Sequence, residues 1–160
     1  MARPRFVSIS RVNGWSVAIA CGLSLLFSGS VAGFVVSAAA LVSPILELKG
    51  SYAAERGAKD GLEWLPRSQL LLLAVIVAYS AINLLTFDID QWLAGVSPDL
   101  RAALLSAVGD QAMLREMTAM AFKLVYATLI VVSLLYQGGL FFYYRRSIAA
   151  LAPAATTAPR

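Results

Sequence analysis

Polar and apolar positions in this chain do not alternate; they fall in blocks. From Trp15 to Ile45 about 31 consecutive residues carry no charged side chain, well beyond the roughly 18 to 20 at which a membrane-spanning helix is read. Gln69–Phe87 forms a second apolar block and Thr118–Tyr144 a third, separated by polar connections at 47–67 and 88–118. The pattern predicts an all-α integral membrane protein with three transmembrane helices, at about 15–45, 69–87 and 118–144. A basic arm (1–14) precedes a single membrane domain (15–146), and an Ala/Pro-rich tail (147–160) follows it.

The first block is too long for one plain span. At 1.5 Å per residue it makes a helix of roughly 46 Å against a hydrocarbon core of about 30 Å, and even a tilt of about 40° leaves it too long. It is therefore expected to be long and protruding, kinked at Ser28-Gly29-Ser30, or re-entrant, with Pro44 marking an end or bend near its far edge. Gly29, Gly33 and Ser37 sit four apart and share one helical face. Side chains that small let a second helix approach closely in lipid, so these three are read as helix-packing positions.

The later blocks carry fewer irregularities. In the first connection Glu55, Lys59 and Glu63 recur every four residues, while Gly57 and Gly61 weaken any helix there, predicting a frayed surface helix. In the second span Asn83 is the polar exception; with Tyr79 one turn before it, it is read as a helix-packing amide on the protein-facing side, together with Ala78, Ser80 and Ala81. Ser97-Pro98-Asp99 supplies a cap, a first-turn proline and a dipole-matched acid, so an amphipathic helix is predicted over about 98–109. Lys123 and Gln137 in the third span are candidate pathway or partner contacts; Gln137-Gly138-Gly139 reads as a flexible break. Tyr136 and Phe141 to Tyr144 form an aromatic belt before Arg145-Arg146.

Composition narrows the chemistry. The chain is 59% hydrophobic and 14% charged, against about 25% charge in a soluble domain. With no histidine, haem or zinc held by histidine, a Ser-His-Asp triad and imidazole proton relays are excluded within the chain. The single cysteine, Cys21, excludes an internal disulfide. Asp88 and Asp90 alone do not make a calcium loop, so no metal and no cofactor are expected; pigment or quinone contacts made without histidine stay open. The net charge of +4 reflects basic residues at span ends rather than a nucleic-acid partner. The apolar run behind the basic arm is longer than a signal-peptide core, so the first segment is expected to be retained, and no lipidation signal is read.

Orientation is unresolved by three spans. They place seven basic residues on one side and five on the other, whereas a re-entrant first segment would place ten against two. Poverty of catalytic groups and the small-residue face point to a non-catalytic accessory or scaffold subunit of a larger membrane complex. Its partners would be lipids and other transmembrane subunits. The alternative is a small homo-oligomeric transporter or channel, weakened by the lack of an acid within any span so drawn. The abundance of alanine and the excess of arginine over lysine point to a bacterial chain in the cytoplasmic membrane.

Overall fold

The computed structural model describes residues 5–27, 31–58 and 60–151; Gly29, with Ser28 and Ser30, lies outside them. All regular structure among these residues is helical: α1 (Arg5–Leu26), α2 (Val31–Glu55), α3 (Trp64–Thr86), α4 (Ile89–Gly95), α5 (Pro98–Val108) and α6 (Gln111–Leu151). Four of these helices, α1, α2, α3 and α6, are long and apolar enough to cross a membrane. The expectation of three spans is thus corrected to four candidates.

The extra helix comes from the first apolar block. That block is not one continuous helix: the chain folds back between α1 and α2, as the re-entrant alternative expected, but on two long helices rather than two half-spans. It contains the C-terminal part of α1 and the N-terminal part of α2, two helices of 22 and 25 residues. Each recruits polar residues that the pattern had assigned elsewhere. α1 begins at Arg5 inside the supposed arm, and α2 runs through Pro44 to Glu55, so the first connection shrinks to 56–63. The two helices pack antiparallel: Arg11 pairs with Glu55 at 2.7 Å and Asn13 with Glu47 at 2.7 Å. Glu55 therefore reaches across to α1, and Glu63 pairs with Arg67 at 2.8 Å; Lys59 lies outside the described residues. A proline inside α2 removes one ladder hydrogen bond, a loss tolerated where neighbouring helices cover the backbone; Pro44 is fully buried.

Gly57 ends α2. Its φ of 67° is left-handed, and the Ala58 amide donates to the Ala53 carbonyl at 3.0 Å while that of Gly57 donates to Ala54 at 3.2 Å. This is the paired-bond helix stop that favours glycine. The 98–109 expectation matches closely: α5 starts on Pro98 with the Ser97 hydroxyl accepting from the Leu100 amide, and stops at Gly109 with φ 84°. The unforeseen α4 is capped by Asp88, whose carboxylate accepts from the amides of Asp90 and Gln91 at 2.9 and 3.2 Å. α6 passes through Gln137-Gly138-Gly139 without a break and continues to Leu151; residues 152–160 of the tail are outside the description.

The chain divides into two compact units, one of residues up to Ile76 together with those from Val132 onward, the other Val77–Val131. In the first, Phe6, Val7, Leu65 and Tyr144 form the apolar core. In the second, Tyr79 meets Tyr126 edge-on with centroids 5.9 Å apart, Phe87 stacks on Phe122, and Phe122 leans on Tyr126. Asp90 pairs with Arg115 on the surface of this unit. Exposed pairs of that kind contribute about 0–1 kcal/mol.

Two glycines set the closeness of packing in the first unit. A Cβ at Gly14 would stand 3.2 Å from the Leu48 side chain, and one at Gly50 would stand 2.9 Å from Leu65 Cγ and 3.2 Å from its backbone nitrogen. Gly50→Val is expected to lower stability by about 1–3 kcal/mol through overpacking. Gly22→Ala, where a Cβ meets nothing within 4 Å, should leave stability unchanged or raise it by up to about 1 kcal/mol. Unfolding in mixed micelles measures both, and equal effects would contradict the close approach.

Candidate functional site: a polar node inside an apolar bundle

The buried and exposed faces of the long helices are inverted relative to a water-soluble bundle. Ser10, Asn13, Ser43, Glu47, Ser51, Ser68, Gln69, Ser133 and Gln137 are buried, while Leu26, Phe27, Val31, Leu85, Leu124, Leu135 and Phe142 are exposed. The polar positions follow helical spacing. Ser43, Glu47 and Ser51 are four apart on α2, and Ser133, Gln137, Leu140 and Tyr144 are four, three and four apart on α6, so each set forms a stripe on one face.

In the first unit these stripes meet at the Glu47 carboxyl, which is 1% exposed. The Tyr144 hydroxyl donates to Oε1 at 2.6 Å. The Asn13 amide nitrogen donates to Oε2 at 2.7 Å. Asn13 Oδ1 in turn accepts from the Tyr136 hydroxyl at 2.8 Å. The Gln69 side chain lies close to the carboxyl, and its amide nitrogen donates to Ser68 Oγ at 3.3 Å. The Ser43 hydroxyl ties α2 to α3 by donating to the Ser68 carbonyl at 2.8 Å. α1, α2, α3 and α6 therefore all contribute to one node. Among the described residues several buried oxygens hold no hydrogen-bond partner, including Ser51 Oγ, Gln69 Oε1 and Gln137 Oε1.

Of the described residues, no Lys or Arg forms an ion pair with Glu47. Among the described residues Arg11 pairs with Glu55 and lies over the Tyr52 ring, Arg67 pairs with Glu63, and Lys49 and Arg67 lie over the Trp64 ring at 5.2 and 5.4 Å. Glu47 is thus surrounded by amides, hydroxyls and a phenol. A groove of about 350 Å³, lined by Ser8, Ile9, Val12, Asn13, Ser16 and Tyr136, opens beside it. Asn13 and Tyr136 connect that groove to the carboxyl.

The positions singled out in the sequence lie mostly outside this node. Gly33 and Ser37 are half-buried on α2, and Gly29 is outside the described residues. Asn83 donates to the carbonyl of Tyr79 at 2.8 Å, within its own helix; Ser80 beside it is fully buried. Lys123 is exposed in the other unit. Gln137 is buried next to Tyr136. Glu47, Asn13, Gln69 and Tyr144 each stand at the edge of an apolar block, where the pattern reads a connection, an arm, the first residue of a span and an aromatic belt. One signal could have found Glu47: the Gly33-Ser37 face continues through Ala40, Ser43, Glu47 and Ser51 at three- and four-residue steps.

Comparison with protein-family models, with curated proteins and with solved structures finds no match to this chain.

The geometry makes the node cooperative. Asn13→Leu leaves both Glu47 Oε2 and the Tyr136 hydroxyl without their partner, so it is expected to destabilise the protein more than Tyr136→Phe, which removes one bond. Glu47→Gln and Tyr144→Phe, combined in a double-mutant cycle, should show a coupling of about 0.5–3 kcal/mol. Additive effects would mean that the two side chains do not meet.

Proposed function

We propose that this chain is a multi-pass protein of the bacterial cytoplasmic membrane and serves as a non-catalytic accessory or scaffold subunit of a larger membrane complex. The observation that carries the reading is the set of glycines turned outward from apolar helices. At Gly22 on α1, and at Gly138 and Gly139 on α6, an added Cβ would meet nothing within 4 Å. Glycine within a helix costs about 1 kcal/mol relative to alanine, and among the described residues no contact offsets it there. Close approach of a neighbouring helix is the contact for which outward small residues suit a membrane protein. α6 supports the same reading. Its apolar stretch is 6% buried, against 28% for α2, and its 41 residues make a rod of about 60 Å, twice the hydrocarbon thickness.

Four crossings also give the basic residues a consistent placement. The start of α1, the end of α2, the start of α3 and the end of α6 fall on one side, with Arg5, Arg11, Lys49, Arg56, Arg67, Arg145 and Arg146 near it among the described residues. The opposite side carries Arg101 and Arg115 among acidic neighbours. The bias of Lys and Arg toward the cytoplasm puts the first side inside. With α1 and α2 each crossing, the near-tie of the three-span arrangement no longer applies, which supports this orientation.

A second reading, a small homo-oligomeric transporter or channel, gains from Glu47. A carboxyl within a span is the feature that pathway proteins carry, and α2 has one.

Purification in mild detergent followed by native mass spectrometry tests the first reading. Expected is a co-purifying membrane protein whose yield falls with Gly22→Leu or with Gly138→Leu/Gly139→Leu; a chain that runs only as a monomer would overturn it. A homo-oligomer that conducts solute in liposomes would favour the second. Single cysteines in a Cys21→Ser background report orientation: positions 56 and 146 should label from one side, and position 110 from the other.

A further inference from the structure

We infer that Glu47 is a proton-binding site, in which uptake of one proton reverses the hydrogen bond between its carboxyl and Tyr144. This goes beyond the subunit reading and holds whether the chain works alone or in an assembly.

The partners around the carboxyl define where a proton can go. On α1 the facing group is Asn13; Arg11 is engaged by Glu55. On α2 itself Ser43 and Ser51 share the face, and Lys49 lies over Trp64. On α3 the facing group is Gln69, while Arg67 is held by Glu63 at the start of the helix. On α6 the facing titratable group is Tyr144, with the Tyr143 ring 5.8 Å from it, Tyr136 acting through Asn13, and Arg145 over the Phe141 ring. No Lys or Arg among the described residues forms an ion pair with Glu47. An ionised carboxylate inside a bundle is ordinarily matched by a cation or metal, or else exchanges its charge for a proton. Here only neutral donors are present, so the second course is the one for which the site is built.

The two carboxyl oxygens are not equivalent toward a proton. Oε2 accepts from the Asn13 amide nitrogen, which can donate but cannot accept. Asn13 cannot turn its oxygen to the carboxyl without giving up the bond from Tyr136 at 2.8 Å. Oε1 faces a phenol at 2.6 Å, and a hydroxyl can do either. The proton therefore adds to Oε1. A carboxylate lone pair forms the new O–H bond with a proton delivered by a hydronium ion, which leaves as water, and no other covalent bond breaks. The acid O–H then donates to the Tyr144 oxygen, whose own O–H swings away, while Oε2 remains the carbonyl acceptor of Asn13. The partnerless oxygens of Gln69 and Ser51 leave acceptors in the surrounding polar stripes.

Access is short. Asn13, Glu47, Gln69 and Tyr144 lie eight, eight, five and seven residues from the α1, α2, α3 and α6 ends that share one side, roughly 8–12 Å of helix. The groove at Asn13 and Tyr136 opens at the same level.

Infrared difference spectroscopy of the full chain in phospholipid bilayers, acid minus neutral, tests this. The native protein should gain a protonated-carboxyl carbonyl band together with a change in a tyrosine C–O mode, assigned by ring-labelled tyrosine. Glu47→Gln should lose both signals, and Tyr144→Phe should shift the carbonyl band and lose the tyrosine mode. Asp99→Asn, on exposed α5, should alter neither. A native spectrum in which the carboxyl band rises with no tyrosine change, or a spectrum identical in native protein and Tyr144→Phe, overturns the inference. Both of those outcomes are readable even if Glu47→Gln does not fold.

Discussion

A carboxyl held at 1% exposure by an amide, a phenol and a glutamine sets the terms for the rest of the first unit. Buried polar groups are costly unless each finds a partner. Glu47 can be buried only if α1 brings Asn13, α3 brings Gln69 and α6 brings Tyr144 to the same level of α2. That requirement fixes helix register more tightly than apolar packing could, because leucine and valine contacts tolerate sliding while a 2.6 Å phenol contact does not. The apolar core of Phe6, Val7, Leu65 and Tyr144 lies around it, and Tyr144 belongs to both.

Close approach makes the node possible. α1 meets α2 through Gly14 against Leu48, and α2 meets the start of α3 through Gly50 against Leu65. With larger residues at these glycines the helices would stand further apart and the side chains of Asn13, Gln69 and Glu47 would lose their contacts. Small residues and polar residues therefore divide one task, as they do between helices in lipid, where apolar burial itself supplies little drive. The outward glycines at 22, 138 and 139 are small residues of the same kind, and among the described residues nothing lies within 4 Å of where their Cβ would stand.

The second unit is built differently. Tyr79, Phe87, Phe122 and Tyr126 interlock as aromatic rings, and α4 and α5 are closed by local caps, Asp88 and Ser97 at their starts and Gly109 at the end of α5. Its hydrogen bonds are mostly between near neighbours in sequence.

Local chemistry was legible along the chain. The cap at Ser97, the first-turn Pro98, the stop at Gly109 and the apolar block of α3 all follow from residues within a few positions of one another, and helices start and stop on short-range signals. The number of long helices was not legible, because the uncharged run from Trp15 to Ile45 hides a chain reversal within it and the polar residues on either side looked like borders. Arg11, Asn13, Glu47 and Glu55 read as connection only until their partners, 44 and 34 positions away in sequence, come into contact. Sequence alone thus determined that the chain is helical and that its long segments are apolar. Tertiary structure decided which polar side chains turn inward, because a buried carboxyl is acceptable only when distant residues arrive to hydrogen-bond it.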